Sequence, residues 1–468
     1  MSVIKTFLSN MPEVRGPVNK YLGFKIKLKW TLLILVAFFI LSVVPLYGLG
    51  ENALQQFEYL SLILGASFGS IVSLGIGPIV TASIILQLLV GSGILKLDLT
   101  TAEGKKRFQG IQKFLALFFI VFEAIIYVFL GGLSPSPNLT GGAYLGMQWI
   151  LIIQLIIGGV LILFMDEVVQ KWGFGSGVSL FIAAGVSAQI FIRAFSPLTS
   201  AGTLALGTGQ APTGVIFVLI NSLTSGNTIG ASLALAAIVS TIVVFLIAVY
   251  AQAMKVEIPL SFGRIRGHGI RWPLKFIYTS NIPVILIAAL LANIQLWARL
   301  LESWGHPWLG TFAGNVPVSG LVAWVYSPNI VQNIITGSAT ATVFLQALVY
   351  IALLMGGSVL FSIFWVQTAG MDAGSQAKQI MASGLQVPGF RRDQRVLEKI
   401  LSRYIFPLTV MGALTVGFLA AIADLSGALT NGTGLLLAVM IIYQLYEEIA
   451  QKHMMDMNPA LRKVMGGG

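Results

Sequence analysis

The sequence predicts an all-α polytopic membrane protein with ten transmembrane helices in two inverted five-helix halves. Three observations lead there: a composition too apolar for water, apolar runs of spanning length, and breaks at matching places in the two halves. Of 468 residues, 56% are hydrophobic and 10% charged, and the mean hydropathy is +0.88. A soluble domain carries about 25% charged residues, so this chain has too few to cover a soluble surface of its size.

A spanning helix needs about 20 mainly apolar residues. Runs of that kind lie near 28–48, 76–93, 111–132, 145–165, 174–195, 231–253, 273–297, 342–366, 401–424 and 432–450. An even number puts both termini on one side. With the N-terminus cytoplasmic, all of the 28 Lys and Arg residues except Arg193 and Arg299 fall in cytoplasmic segments or beside them, as the positive-inside rule requires. The expected location is the cell membrane. The first apolar run is too long, and lacks the small-residue ending, for a cleaved signal.

The organisation follows from these runs. Residues 1–22 carry Ile4, Phe7, Leu8, Met11 and Val14 at helical spacing, which suits a helix lying on the membrane surface; a disordered basic arm is the alternative. Residues 23–195 form an N-terminal half, 196–230 an external loop, 231–450 a C-terminal half, and 451–468 a cytoplasmic tail. Two long basic loops, 253–272 and 367–400, read as ordered protrusions that present arginine.

Residues 49–75 are too polar and too rich in Gly and Ser to span. A short half-helix near 53–68 that dips partway in, followed by the Gly75-Ile76-Gly77-Pro78 break, implies an internal cavity, because irregular backbone at membrane depth needs protein or water around it. The second span of each half opens at a proline, Pro78 or Pro283. The fifth opens after Gly-x-Gly, at Gly175-Ser176-Gly177 and Gly432-Thr433-Gly434. Interrupted segments at corresponding places in inverted halves mark a pathway at their interface.

Chemistry-bearing motifs are sparse. There is no Cys, and His268, His306 and His453 stand far apart, so neither a thiolate centre nor a histidine metal site is expected. Gly104-Lys105-Lys106 lacks the Ser/Thr and the upstream glycine of a phosphate loop. No cofactor and no enzymatic activity are expected. Asp166 and Glu167, beside Lys171 at a span end, read as solvated interface charges. Glu123 reads as the single acid deep inside a span, where a carboxylate costs about 3 kcal/mol or more unless paired, protonated or wet.

Five stretches, "LGIGPIVTASIILQLLVGSG", "KWGFGSGVSLFIAAGVS", "YAQAMKVEIPLSFGRIRGHGIRWPLKF", "TSNIPVIL" and "GFRR", occur in order along the chain. Together they resemble the SecY family, the large subunit of the protein-conducting channel, in its archaeal-type form. The resemblance covers essentially the whole chain. It implies a central pore closed by an apolar ring and an external plug, with the half-helix near 53–68 as that plug.

Carried over by motif position, the resemblance puts Ile76, Val80, Ile182, Val186, Ile285 and Leu437 in the ring. The Ile76/Val80 and Ile182/Val186 pairs each share one helix face, and an aliphatic collar gates by dewetting; ordinary helix packing is the alternative for such pairs. A lateral gate towards lipid would lie between spans 2–3 and 7–8. The resemblance joins Thr81, Glu123 and Asn293 as a polar cluster across it; a proton relay is the rival reading of Glu123. Gly75, Gly77 and Pro78 would form a hinge between plug and ring.

The implied function is a passive channel. Unfolded secretory polypeptides cross it, and transmembrane segments leave it laterally into lipid. A secondary transporter with broken helices is the alternative. Implied partners are small translocon subunits of the SecE/gamma and beta type, the ribosome through its RNA, the signal recognition particle receptor pathway, signal sequences and nascent polypeptides, and the bilayer. Arg264, Arg266, Arg271, Arg391, Arg392 and Arg395 are the expected ribosome contacts, because a planar guanidinium binds phosphate bidentately; a purely topogenic role is the other reading of these charges.

Overall fold

The computed structural model describes residues 12–18, 22–52, 67–91, 93–95, 97, 101–199, 212–262, 269–279, 281–314, 316–382, 385–386, 393–430 and 432–457. The N-terminal half contains α1 (Phe24–Val43), α2 (Gly77–Gly91), α3 (Ala102–Phe129), α4 (Gly142–Trp172) and α5 (Gly177–Phe195). A short α6 (Val215–Thr224) follows inside the expected external loop. The C-terminal half begins with α7 (Thr228–Ala253) and α8 (Ile282–Ser303), then two short helices, α9 (Gly320–Val325) and α10 (Ile330–Ile335). It continues with α11 (Ala341–Thr368), a short α12 (Ala373–Ala382), α13 (Gln394–Leu425) and α14 (Gly432–Met457).

Among the described residues, nine helices are long and apolar enough to cross a membrane. The remaining span of the expected ten corresponds to α2, which has 15 residues and falls short of the usual length. Its start explains why. Residues 67–76 form hydrogen-bonded turns rather than helix: Ser73 Oγ accepts the Gly69 amide at 2.9 Å and donates to the Ser70 carbonyl. Gly75 takes φ +55°, open to glycine at little cost. Residues 53–66, and with them nearly all of the expected half-helix, lie outside the described residues.

Span boundaries also move where turn chemistry overrides hydropathy. The run expected at 273–297 begins as helix only at Ile282, because 269–275 are committed to a strand and Pro283 sits in the first helical turn. Local caps fix other starts. Thr101 accepts the Gly104 amide at 3.1 Å, Asn227 the Gly230 amide at 3.0 Å, and Asp393 the Arg395 amide at 2.9 Å.

The two basic loops share one small domain. Strands β3 (Lys255–Phe262) and β4 (Gly269–Lys275) pair as an antiparallel hairpin, and β7 (Leu385–Gln386) from the second loop adds to the other edge of β3. Two further pairs are minor: β1 (Leu49–Asn52) with β2 (Leu133–Pro135), and β5 (Phe312–Ala313) with β6 (Val316–Pro317). Beneath the three-stranded sheet, Ile258, Leu274, Ala377, Ile380, Leu397 and Leu401 build a core separate from the membrane one. Lys255 and Lys275 both pair with Glu447 of α14, which ties this sheet to the last helix.

Glycines set the closest helix contacts. A Cβ on Gly158 of α4 would lie 1.9 Å from the Ile71 carbonyl oxygen, and one on Gly91 of α2 would lie 2.4 Å from the Phe364 ring of α11. Neither approach is open to a larger residue.

Segment 12–15 packs on the ends of α3 and α4. The Val14 amide donates to Glu167 Oε2 at 2.9 Å, Lys171 Nζ meets Glu13 at 2.5 Å and the Val14 carbonyl at 2.6 Å, and Trp172 donates to the Arg15 carbonyl at 2.9 Å. Glu167 also pairs with Lys113. The reading of Asp166 and Glu167 as solvated charges is therefore corrected. Glu167 anchors this segment, and Asp166 is 5% exposed, spent on capping the next helix as described below. The rest of 1–22, apart from Leu22 and residues 16–18, lies outside the described residues.

Candidate functional site: ring and gate

Ile76 immediately precedes α2, and the Val80 amide donates to its carbonyl at 3.0 Å, so the two side chains stand one turn apart on one face. Ile182 and Val186 repeat that spacing on α5. Ile285 lies in the first turn of α8, its amide bonded to the Asn281 carbonyl at 3.0 Å, and Leu437 lies near the start of α14. All six are buried, none more than 4% exposed, and all belong to one contiguous apolar cluster. α14 adjoins α5 at Gly434: a Cβ there would lie 3.4 Å from Val186 Cγ2, an ordinary contact distance. The six offer only hydrocarbon, so the arrangement has no ligand for an ion or a polar solute.

Beside this cluster, three polar residues from three helices meet. Asn293 Nδ2 of α8 donates to Thr81 Oγ1 of α2 at 3.0 Å. Thr81 Oγ1 lies 2.9 Å from the Gly77 carbonyl and 3.5 Å from Glu123 Oε1 of α3. One hydroxyl proton cannot serve both acceptors well, and the shorter bond is the one within α2. Glu123 Oε2 has no partner among the described residues. Thr81, Glu123 and Asn293 are thus brought together, but Glu123 is held loosely.

This bridge lies on a longer seam between the halves. The Ser303 hydroxyl of α8 donates to the Leu130 carbonyl at 2.7 Å, and the Phe122 and Trp297 rings lie 5.8 Å apart. Next come Asn293 and Thr81, and then Phe364 against Gly91. Ser303, Phe122, Trp297 and Phe364 are absent from the sequence-based gate, because single aromatic and hydroxyl residues in an apolar chain carry no pattern. Gln112 Nε2 donates to Ser83 Oγ at 2.7 Å, which holds α2 to α3 on one flank of the seam.

Of the six arginines expected to face the ribosome, Arg264, Arg266, Arg391 and Arg392 lie outside the described residues. Arg271 is placed on β4 opposite Pro259. Arg395 lies in the first turn of α13, its amide on the Asp393 cap. Among the described residues no group of His, Cys, Asp and Glu has the arrangement to hold a metal ion.

The SecY family profile matches residues 70–446. The protein translocase subunit SecY of Methanothermobacter thermautotrophicus is 46% identical over 462 residues, covering 98% of this chain and 97% of that one. The chain belongs to the SecY family. Two solved structures share its architecture. One, described as a protein conducting channel, is 42% identical with a TM-score of 0.83 and covers 98% of this chain and 99% of that one. The other is Sec61 in the canine ribosome–channel complex from the endoplasmic reticulum, 41% identical with a TM-score of 0.80 and the same coverage. With its apolar helices, the chain is a multi-pass membrane protein of this channel fold.

Proposed function

We propose that the chain forms a passive pore through which unfolded secretory polypeptides cross the membrane, and from which apolar segments leave sideways into lipid. The observation that carries this reading is the burial, within one apolar core, of six aliphatic side chains at or near four broken helix starts, which we read as a ring. Such a constriction excludes water and ions by dewetting yet yields to a bulky chain. A transporter site would instead gather polar ligands at that depth.

Ile76, Val80, Ile182, Val186, Ile285 and Leu437 form the seal in this reading. The half-helix near 53–68 is the plug, Gly75, Gly77 and Pro78 are the hinge between them, and Thr81, Glu123 and Asn293 latch the lateral gate between α2–α3 and α8–α11. No group that would supply energy is assigned, so a partner drives transport. The test is reconstitution of the full chain in proteoliposomes, intact and with residues 53–68 deleted. The deleted form should conduct ions and the intact form should not. Solute uptake driven by an ion gradient through the intact protein would overturn the pore reading.

The driving partner proposed is the ribosome, docked on the three-stranded sheet. The described strands of the two basic loops pair in that sheet, and in this reading Arg264, Arg266, Arg271, Arg391, Arg392 and Arg395 contact RNA phosphates. Small subunits of the SecE/gamma and beta type, the signal recognition particle receptor pathway, signal sequences and nascent chains complete the set of partners. The membrane is the cell membrane, with both termini cytoplasmic, and the divisions at 1–22, 23–195, 196–230, 231–450 and 451–468 follow. Replacing the six arginines by glutamine should weaken ribosome binding and flatten its salt dependence. Unchanged affinity across several salt concentrations would refute the contact.

A further inference from the structure

Each half ends its fourth spanning helix on an aspartate that holds the start of the fifth. Asp166, near the end of α4, accepts the Val178 amide of α5 on Oδ1 at 3.0 Å and the Gln170 side chain on Oδ2 at 2.8 Å. Asp424, near the end of α13, accepts the Thr433 amide of α14 on Oδ1 at 2.6 Å and the Tyr350 hydroxyl on Oδ2 at 2.6 Å. Thr433 Oγ1 donates to the same Oδ2.

The surroundings repeat as well. A Cβ on Gly177 would lie 2.6 Å from Asp166 Cα, and one on Gly432 would lie 1.8 Å from the Ala423 carbonyl carbon, so each fifth helix begins in contact with the fourth. At an equal interval before each acid stands a glycine against the third helix of its half. Gly159 faces Ile120 of α3, and Gly417 faces the Leu354 carbonyl and Ser358 of α11.

The first amides of a helix lack partners within it, and at these starts, where Asp166 is 5% and Thr433 1% exposed, a buried amide needs an acceptor from the protein. A carboxylate is the strongest acceptor a side chain offers. Where it sits decides where the first turn begins. Every later residue then stands at a height set by the 1.5 Å rise per residue. Ile182 and Val186 follow closely on α5, as does Leu437 on α14.

We propose that Asp166 and Asp424 are paired positioning residues that fix the height and rotation of α5 and α14, and thereby seat Ile182, Val186 and Leu437 in the seal. The consequence for the seal rests on the pore reading above; the positioning itself does not.

The chain has no native cysteine, which supplies a direct readout. A pair made by Val186→Cys and Gly434→Cys joins α5 to α14 at their contact, and its rate of disulfide formation reports their register. Combined with Asp424→Ala or Asp166→Ala, that rate should fall about tenfold, the scale of a lost charge-assisted hydrogen bond. Asp424→Asn should restore it to within about twofold, because the amide oxygen still accepts from Thr433 and the hydroxyls can turn to accept from the amide nitrogen. An unchanged rate in the alanine variants, or an asparagine variant as slow as alanine, overturns the proposal. If the alanine variants fail to insert, Thr433→Val removes one bond and should slow the rate about threefold; an unchanged rate there overturns it equally. Ion leak measured in the same aspartate variants without the cysteines separates the two readings. A slowed disulfide with unchanged leak upholds the positioning and refutes the seal.

Discussion

Asn293 donates to Thr81 across 3.0 Å, a direct side-chain hydrogen bond between helices from opposite halves of the molecule. Around it the seam is aromatic or apolar except for the bond from Ser303 to the Leu130 carbonyl, so among its side-chain pairs this contact is directional where the ring contacts slide. A buried hydrogen bond contributes roughly 0.5–1.5 kcal/mol net. Asn293→Leu, and Glu123→Ala beside it, should therefore shift the balance between closed and open seam by several-fold. Disulfide trapping of a signal segment against α2 and α8 in the cysteine-free chain reads that balance. Equal trapping in wild type and both variants would dissolve the latch.

The proposed ring predicts a polarity effect rather than a size effect. Replacing Ile76, Val80, Ile182, Val186, Ile285 or Leu437 by Asn leaves an imperfectly paired amide in hydrocarbon, at a cost of about 1–3 kcal/mol to the closed state. Ion leak in proteoliposomes should rise, and weaker signal segments should open the channel. Val80→Ile should change neither property. Wild-type leak and signal stringency in properly inserted Asn variants would remove these residues from the seal.

Gly158 predicts a steric effect at a distance from the ring. Alanine there would press on the Ile71 carbonyl and push away the turns that lead to Ile76, a cost of about 1–3 kcal/mol by analogy with overpacked cores. Gly185→Ala on α5 meets nothing within 4 Å and serves as the control. Thermal unfolding in detergent should show a lower midpoint for Gly158→Ala and none for Gly185→Ala; equal midpoints would discount the notch.

Glu13 predicts a pH effect. The hydrogen bond from Lys171, followed by the charges of Lys171, Lys113 and Lys106, holds its carboxyl below its ordinary value of 4.5, against the upward push of partial burial. A carboxyl depressed on docking stabilises the docked form above its undocked value, and that contribution is lost as pH falls through the docked one. Protection of the amides of residues 13–15 from hydrogen exchange should hold at neutral pH and weaken as pH falls below the ordinary carboxyl value of 4.5. Glu13→Gln should weaken it at neutral pH and flatten the acid dependence. The same acid profile in Glu13→Gln as in wild type would assign the effect to another group.

Much of this protein was legible in its sequence, for physical reasons that act locally. Length and hydropathy announced spanning helices, because a backbone in hydrocarbon must satisfy itself within each helix. Proline and glycine marked the broken starts at Gly77, Ile282 and Gly177, since ring geometry and the missing Cβ act within a residue or two. The one-turn spacing of Ile76 and Val80 needed only the helical repeat.

Tertiary structure decided what depends on partners far along the chain. The burial of Asp166 turned on where α5 begins. The part played by Asp424 turned on Tyr350 and Thr433, and nothing around it in sequence distinguishes it from a helix-end charge. That 385–386 would extend the 255–275 hairpin could not be read either, because pairing across more than a hundred residues is set by the packing of α12 and α13 beneath it. Glu123, Thr81 and Asn293 came together through family likeness in sequence, but only the structure showed Thr81 as their shared centre. A hydrogen bond between helices is fixed by how the helices pack, and packing is a property of the whole assembly rather than of any one stretch.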